Sequence, residues 1–255
     1  MAEALRQRDV IDTTPRFTQH DAIRLNNMFR GRDTLEMLAG VLRDGLAGDV
    51  AVVSSFGTES AVLLHLIAQV DPATPVLFLE TGKHFPETLA YRDALIEQLG
   101  LTDVRNLTPD ADVLAAKDES GLRWSYDPDG CCEIRKVIPL ARAIETFDST
   151  ITGRKGFQSS TRTGLPRFEI DGDRLKINPL ADWDRARIDA YFEEHDLPRH
   201  PLEAKGYLSI GCAPCTSIVK PGEDPRSGRW RGWDKVECGI HEAVDGDDPA
   251  NLPSF

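Results

Sequence analysis

Runs of apolar residues alternate with amphipathic stretches along most of this chain, and the pattern predicts an α/β architecture. The strand candidates, short runs bounded by turn residues, are 49–55, 75–80, 103–109 and 149–154. The helix candidates, which show helical periodicity, are 33–48, 59–70, a stretch from Pro86 onward, 131–147 and 182–198. Strands that alternate with helices form a parallel sheet flanked by helices, which is the fold class we predict.

The residue pattern and composition divide the chain into three predicted parts. Residues 1–48 are an N-terminal helical segment, in which four leucines share one face of the helix. Residues 49–220 contain the alternating strands and helices and form the main α/β domain. Residues 221–255 are rich in glycine, proline and charge, which predicts a flexible C-terminal tail.

Composition narrows the class of protein. With 255 residues, 40% of them hydrophobic, the chain can bury a large core. Its N-terminus is charged and its most apolar stretch, 61–70, is too short to cross a bilayer, so we expect a cytoplasmic protein without membrane contact. The net charge of −12 opposes nucleic-acid binding. Five cysteines in a reducing compartment indicate metal binding or catalysis more than disulfides.

The turn after the first strand predicts an anion site. In VVSSFGTES, Ser54, Ser55 and Gly57 lead directly into a helix, where backbone N–H groups, hydroxyls and the helix dipole suit phosphate or sulfate. The turn matches neither GxxxxGK[ST] nor GxGxxG, and an ordinary strand-to-helix turn is the alternative interpretation. A polar loop, LETGKHF, follows the second strand. Parallel sheets bind ligands at the carboxyl ends of their strands, so the two loops predict one crevice.

Four of the five cysteines form two groups. Cys131 and Cys132 are adjacent, and Cys212 and Cys215 form a CxxC motif. Adjacent cysteines direct their Cβ atoms apart and do not easily reach one zinc ion, whereas a cubane spreads its iron atoms and accepts neighbouring thiolates. We therefore predict that the four thiolates hold one four-iron, four-sulfur cluster. A redox CxxC and buried structural cysteines are the alternatives.

The fifth cysteine lies in the basic part of the tail. Arg226, Arg229 and Lys235 precede Cys238, and His241 follows it. Nearby cations favour the thiolate form of a cysteine and hold anionic substrates, so we predict that Cys238 is a nucleophile. The alternative is a polar tail with an incidental cysteine.

Six motifs together resemble one known family. SSFGTES, LETGKHFPETL, CCEIRK, GRKGFQSSTR, GCAPCT and GRWRGWDKVECGIH, spread between about residue 50 and His241, are similar to those of the assimilatory adenylyl-sulfate reductases. These form the iron–sulfur branch of the phosphoadenylyl-sulfate/adenylyl-sulfate reductase family. The resemblance implies an adenine-nucleotide α-hydrolase fold of the PP-loop type. It also implies thioredoxin-dependent reduction of adenosine 5′-phosphosulfate to sulfite and AMP, in sulfate assimilation.

The resemblance also assigns roles to individual residues. Cys238 would attack the sulfur and carry an S-sulfocysteine until reduced thioredoxin or glutaredoxin releases sulfite, and Lys136 would lie between cluster and substrate. The implied substrate-binding residues are Ser54, Ser55, Gly57, Leu79, Gly82, Lys136, Arg162, Arg226, Arg229 and His241. The chain departs from the family's usual LDTG at Glu80, and GRKG stands where relatives often carry paired arginines.

Three other interpretations stay open. The substrate could be 3′-phosphoadenylyl sulfate, although family members specialised for it generally lack the paired cysteines. An ATP-using PP-loop enzyme, such as a tRNA thiolase or a sulfurtransferase, should carry SGGxDS where this chain has SSFGTES. The third is a zinc-stabilised nucleotide-binding module without chemistry. The sequence leaves assembly into a homo-oligomer undecided.

Overall fold

The computed structural model describes residues 15–156 and 164–240, which form helices around one sheet. The helices, in chain order, are α1 Gln19–Met28, α2 Thr34–Leu42, α3 Ser60–Val70, α4 Pro86–Leu99, α5 Ala111–Lys117, α6 Pro128–Cys132, α7 Ile138–Ile144 and α8 Arg185–Glu194. The strands are β1 Val50–Val53, β2 Val76–Leu79, β3 Val104–Leu107, β4 Ser149–Thr152, β5 Phe168–Asp171 and β6 Arg174–Ile177. A π-helical turn, Glu133–Val137, joins α6 to α7.

The sheet confirms the predicted fold class. Its strand order is β3-β2-β1-β4-β6-β5, and every pairing among the first five strands of that order is parallel. Strand β5 pairs with β6 in the antiparallel direction and closes one edge. The chain builds the sheet outward from β1 to β3 and then returns to the other side of β1 with β4. The carboxyl ends of β1 and β4 therefore form the topological switch point, where such sheets bind ligands.

Alternating residues of the central strands bury both faces of the sheet. Val50, Val52 and Phe78 belong to the larger hydrophobic cluster, which includes side chains of α1, α2, α3, α4 and α8. Ala51 and Leu77 face the opposite side, where they belong to a smaller cluster with α7. Strands covered on both faces are expected to be apolar throughout, which is why these short runs could be identified in the sequence.

Several element boundaries differ from the prediction. The helix expected to begin at the cysteine pair begins at Pro128, because Asp127 caps it through the Gly130 N–H and proline suits the first turn. It ends at Ile144 and not near Phe147. Helix α2 ends at Leu42, and of the four leucines predicted to share its face only Leu38 is fully buried.

Helix α5 and the β5–β6 hairpin were absent from the sequence-based prediction, whereas α1 lies within the predicted N-terminal helical segment, which did not give its bounds. The hairpin lies against α1, where the side-chain amide of Asn26 donates to the Phe168 carbonyl at 2.7 Å and its oxygen accepts from the Phe168 N–H at 3.1 Å. This amide substitutes for a neighbouring strand at the open edge of the sheet. Edge strands with satisfied backbone groups resist pairing with other chains.

Residues 221–240 fold back over the rest of the protein. The Trp230 N–H donates to the Cys215 carbonyl at 3.0 Å, and the Ser217 N–H donates to the Gly228 carbonyl at 2.8 Å. Ile240 packs against the smaller cluster beneath the sheet. The movement predicted for this segment stays a prediction.

In the part of the chain that is described, every helix is too short or too polar to cross a membrane.

His200 is a buried histidine that must remain neutral in the folded protein. Its Nδ1 accepts from the Leu202 N–H at 3.2 Å, so the proton lies on Nε2, 3.1 Å from the Thr88 hydroxyl oxygen. The ring packs beside Tyr91, with 4.8 Å between ring centroids. Burial lowers the pKa of His200 to about 4.

We expect His200 to reduce the stability of the protein in mild acid. At a pH between the folded pKa of about 4 and the unfolded value near 6.5, the unfolded chain binds more protons at this histidine than the folded chain does. Its contribution to stability is therefore fully present above this range and is lost as the pH falls through it. From about pH 7.5 to pH 5 the loss should be roughly 2 kcal/mol of unfolding free energy. Urea denaturation of the parent and of His200→Gln at both pH values measures it, with exposed His20→Gln as control. Equal pH dependence in the parent and His200→Gln would contradict this assignment.

Candidate active site

A cleft of about 300 Å³ opens at the predicted switch point of the sheet. Val53 and Ser54 at the end of β1, Leu79 at the end of β2 and Thr152 at the end of β4 all contribute to its wall. The strand order therefore brings together the two loops that the sequence predicted to share a crevice. Ser55 and Gly57 also line the cleft.

The turn after β1 is held in an unusual conformation. Phe56 has a φ of 47°, which is costly for a bulky side chain, yet it is fully buried and packs edge-on against Phe78. Its N–H donates to Ser54 Oγ at 3.2 Å. Burial of Phe56 thus fixes the turn that contains Ser54 and Ser55, between β1 and α3. A Cβ at Gly57 would lie 3.3 Å from Ser55 Oγ, so the tight turn favours glycine there.

The C-terminal segment brings Cys238 into the same cleft. Arg226 donates to the Val236 carbonyl at 2.6 Å and to a Glu237 carboxylate oxygen at 3.0 Å, which joins the two ends of the segment. On the other side of Cys238, Gly239 has a φ of 83° and approaches Val137, and Ile240 is anchored beneath the sheet. Cys238 is partly buried between these anchors and has a free thiol.

Lys136 and Arg229 surround the predicted nucleophile. Lys136 is buried; burial alone would lower its pKa, but the sulfur groups of Cys212, Cys238 and Cys132 outweigh burial and raise it. Burial lowers the pKa of Arg229, which also interacts with Cys238. Within the described residues the buried Nε of Arg229 has no hydrogen-bond partner. A buried lysine and a partly buried arginine beside a thiol form a site suited to an anion.

Three charged residues that the sequence analysis did not select also line the cleft. Glu59 precedes α3, Lys155 follows β4, and Arg185 begins α8. The Glu59 carboxylate lies 2.8 Å from Lys155 Nζ and also pairs with Arg185. These residues are far apart in the chain, so the sequence did not indicate that they meet. Only Lys155 belongs to a motif that the sequence had pointed out, GRKG.

The other four cysteines line one smaller cavity on the far side of Lys136. Cys131 and Cys132 end helix α6 and are buried, whereas Cys212 precedes a 3₁₀ turn that ends at Cys215, and both of these are partly buried. The cavity is completed by Lys83, Trp124, Pro128, Arg135, Lys136, Pro214 and Trp230. Lys136 and Trp230 line this cavity and the cleft, so the two spaces share a wall.

A π-helical turn follows the cysteine pair and orients the next two basic residues. Pro139 lacks an N–H group, which removes one regular helical hydrogen bond at the start of α7. The turn Glu133–Val137 places Arg135 and Lys136 inside the protein, both buried. Insertions of this kind often occur at functional sites.

The sulfur atoms in the cavity differ in their electrostatic surroundings. Burial raises the pKa of Cys132 to about 11. Burial also acts on Cys212, but Lys136 and the Thr81 hydroxyl, 3.3 Å from Sγ, outweigh it and lower its pKa. No group of three or more His, Cys, Asp or Glu side chains within 15–156 and 164–240 forms a site for a metal ion. Four free thiols around one cavity nevertheless match the soft donor set of an iron–sulfur cluster.

A buried ion pair connects this cavity to the LETG loop. Arg135 donates to Asp118 Oδ2 at 2.7 and 3.2 Å and to the Thr81 carbonyl at 2.7 Å. The Asp118 side chain is fully buried and also accepts from the Arg123 N–H. One guanidinium thus holds two loops around the cysteine pair.

One of the predicted substrate-binding residues, Gly82, does not line the cleft, and two others lie outside the described residues. Gly82, with a φ of 68°, is not among the described residues that line it; its N–H donates to the Glu80 carboxylate at 2.9 Å. Glu80 therefore stabilises its own loop, and it also pairs with Arg92. Arg162 and His241 lie outside the described residues.

Comparisons with known proteins point to one family. Residues 49–218 match a family model described as "Phosphoadenosine phosphosulfate reductase domain". A relative from Mesorhizobium japonicum, named adenosine 5′-phosphosulfate reductase, is 52% identical over 207 residues, 81% of this chain and 82% of that protein. A relative from Gloeobacter violaceus, named phosphoadenosine 5′-phosphosulfate reductase, is 44% identical over 200 residues, 76% of this chain and 83% of that protein.

The fold has a counterpart among solved structures. The crystal structure of phosphoadenylyl-sulfate reductase from Candida auris, in a phosphate complex, superposes with a TM-score of 0.66 at 25% identity. The match covers 80% of this chain and 98% of that chain.

Removing the carboxylate of Asp118 should destabilise the protein strongly. Asp118→Ala leaves the buried Arg135 charge without its partner, which typically costs about 3–5 kcal/mol of unfolding free energy. Asp103→Ala, which breaks the exposed pair with Arg105, is the matched control and should cost about 1 kcal/mol or less. Urea denaturation measures both variants. Similar losses of unfolding free energy in the two variants would show that Asp118 does not compensate the buried charge of Arg135.

Proposed function

This chain belongs to the phosphoadenosine phosphosulfate reductase family, as its motifs indicated, and we propose that it reduces adenosine 5′-phosphosulfate to sulfite and AMP. The observation that carries the proposal is the position of the free Cys238 thiol in the switch-point cleft beside Lys136 and Arg229. A nucleophile next to a buried lysine and a partly buried arginine suits an anionic substrate whose negative charge becomes more localised on the leaving group as it reacts.

The first chemical step would be a displacement at sulfur. The Cys238 thiolate forms a bond to the sulfur of the sulfo group while the bond from that sulfur to the phosphate oxygen breaks. The electron pair of the broken bond leaves with AMP, and an S-sulfocysteine remains on the enzyme. Because AMP departs as a phosphate anion, the step needs stabilising positive charge and no proton donor.

The cations of the cleft have distinct tasks in this step. Arg229, whose buried Nε has no partner among the described residues, would hold the sulfo or phosphate oxygens, and Lys136 would stabilise the anion that develops beside Cys238. Arg226 is paired with Glu237, and it would position the segment that carries the nucleophile.

A dithiol protein such as reduced thioredoxin or glutaredoxin would complete the cycle. One of its thiolates attacks the Cys238 sulfur and releases sulfite, and its second thiolate resolves the mixed disulfide, so the dithiol supplies both electrons. The Cys238 segment must then become accessible, which is the reason for proposing that residues 221–240 move. Reducing conditions in the cytoplasm would keep that dithiol and all five cysteines reduced.

Cys131, Cys132, Cys212 and Cys215 would hold one four-iron, four-sulfur cluster. The support is chemical: these free thiols line one cavity, and Lys83, Arg135 and Lys136 lie around it to compensate negative charge. When bound, the cluster would supply a fixed charge distribution beside Lys136. In this arrangement Lys136 stands between the sulfur ligands and Cys238, with both of which it interacts.

3′-Phosphoadenylyl sulfate is the second candidate substrate. A relative of 44% identity carries the name phosphoadenosine 5′-phosphosulfate reductase, so membership in the family does not decide between the two nucleotides. The reaction at sulfur would be the same with either substrate.

The nucleophile can be identified by a covalent adduct. Incubation of the protein with adenosine 5′-phosphosulfate and no reductant should add one sulfonate to the peptide that contains Cys238, as detected by mass spectrometry. Cys238→Ser should form no adduct but should still bind AMP, because the cations of the cleft remain. Addition of reduced thioredoxin should remove the adduct and release sulfite. A sulfonate found on Cys212 or Cys215 would refute the assignment.

The cluster can be tested without measuring activity. Cys212→Ser should lose most of its iron and acid-labile sulfide, since a cluster that lacks one thiolate is labile. Cys238→Ser is the matched control and should keep both. Elemental analysis and the visible absorption spectrum report the result. Full iron in Cys212→Ser would exclude this ligand set, and stoichiometric zinc in a colourless parent protein would favour the zinc-stabilised alternative.

A further inference from the structure

An ion pair joins the C-terminal segment, residues 221–240, to helix α6 of the main domain. The Lys235 ammonium pairs with the carboxylate of Asp129, which lies in the first turn of α6. Only 9% of the Lys235 side chain is exposed, and its ammonium lies 5.5 Å from the centre of the Trp230 ring. Lys235 is three positions before Cys238, yet the proposed reaction uses neither member of this pair.

We propose that Lys235 is a positioning residue, whose ion pair with Asp129 holds Cys238 at the cleft and breaks when the segment opens to the dithiol reductant. The role in the catalytic cycle rests on the proposed function, because that function needs Cys238 at the cleft for attack and exposed for release of sulfite. The closing contact itself belongs to the fold, so it can be tested without substrate.

The side-chain contacts around Cys238 differ in where they lead. Arg226 donates to the Val236 carbonyl and pairs with Glu237, but Arg226 belongs to the same segment and its long side chain can follow a movement. Lys235 instead connects the stretch before Cys238 to the main domain. Opening of this stretch away from the cleft therefore has to break the pair with helix α6.

The strength of the pair suits a contact that breaks in each catalytic cycle. The Asp129 side chain is 77% exposed, so water competes for its carboxylate, and exposed ion pairs contribute little to stability. The Lys235 ammonium gains in addition from the neighbouring face of the Trp230 ring. A contact of this kind favours the closed segment severalfold and still permits opening.

The accessibility of the Cys238 thiol tests the proposal. The intact protein without substrate is treated with iodoacetamide, an uncharged thiol reagent, and mass spectrometry follows the rate at which the Cys238 peptide is alkylated. Lys235→Met and Asp129→Asn should each raise this rate by about three- to fivefold, because loss of the pair increases the fraction of open segment. Lys235→Arg keeps the charge and should stay within about 1.5-fold of the parent rate, below the change that loss of an ion pair produces.

The two variants change the local charge in opposite directions, which separates opening from electrostatics. Loss of the Lys235 cation by itself would disfavour the Cys238 thiolate and slow alkylation, whereas loss of the Asp129 anion would speed it. Acceleration in both variants therefore reports opening. Opposite effects, or unchanged rates in both, would overturn the proposal. Because the residues act as one contact, the double variant should react no faster than the faster single variant, and rates that multiply would also overturn it.

Lys205→Met is the matched control, since it removes an exposed lysine–carboxylate pair, the one with Glu87, elsewhere on the protein. It should leave the alkylation rate of Cys238 unchanged, and an equal acceleration would overturn the proposal. Buried Cys131 and Cys132 report general unfolding in the same experiment and should stay protected in every variant. Faster alkylation of these two cysteines in Lys235→Met would assign the effect to unfolding and overturn the proposal.

Release of sulfite tests the role of the pair in the cycle. Protein that carries a sulfonate on Cys238 is mixed with dilute reduced thioredoxin, so that the rate of release follows the fraction of open segment. Lys235→Met should release sulfite about three- to fivefold faster than the parent, and an unchanged rate would overturn the role in the cycle. Faster alkylation in a protein that forms no adduct on Cys238 would contradict the proposed reaction alone. Normal adduct formation with unchanged alkylation rates would contradict the positioning role alone.

Discussion

The position of strand β1 between β2 and β4 is the constraint on which the cleft depends. Because both pairings are parallel, the carboxyl ends of all three strands lie at one edge of the sheet. The reversal of strand order beside β1 prevents the following loops from covering that edge. The turn that begins at Ser54, the loop after Leu79 and the segment that contains Lys155 consequently surround one space, although they are distant in the chain.

The C-terminal segment completes a site that the sheet alone leaves open. Trp230 is buried, has a φ of 46° and forms part of the wall of both the cleft and the cysteine cavity. Its N–H bonds the Cys215 carbonyl, so the segment that carries the nucleophile is attached directly to the loop that carries two of the other cysteines. Any movement that exposes Cys238 therefore has to begin beyond this attachment or break it.

The sequence was informative where burial or chemistry limits the choice of residue. Strands β1 and β2 are apolar because both faces of the sheet are covered, and the cysteines were recognisable by their spacing. The β5–β6 hairpin was missed although the sequence contains its signal: apolar and charged residues alternate along both strands, and the two-residue turn Gly172-Asp173 joins them.

The charged group around Glu59 escaped prediction for a different reason. Its members follow β1, follow β4 and begin α8, so they meet only because of the strand order, which residue spacing does not encode. Each of these side chains alone looks like an ordinary surface charge in the sequence.

The π-helical turn at Glu133–Val137 has a consequence for how the length of this chain can vary during evolution. Its i to i+5 hydrogen bonding accommodates an additional residue between the cysteine pair and helix α7. A one-residue deletion there would restore a regular helix with the flanking turns in register, but the side chains inside the turn would take new directions. Lys136 would then lose its place between the cavity and the cleft. The extra residue of this turn is therefore what directs Lys136 toward both spaces.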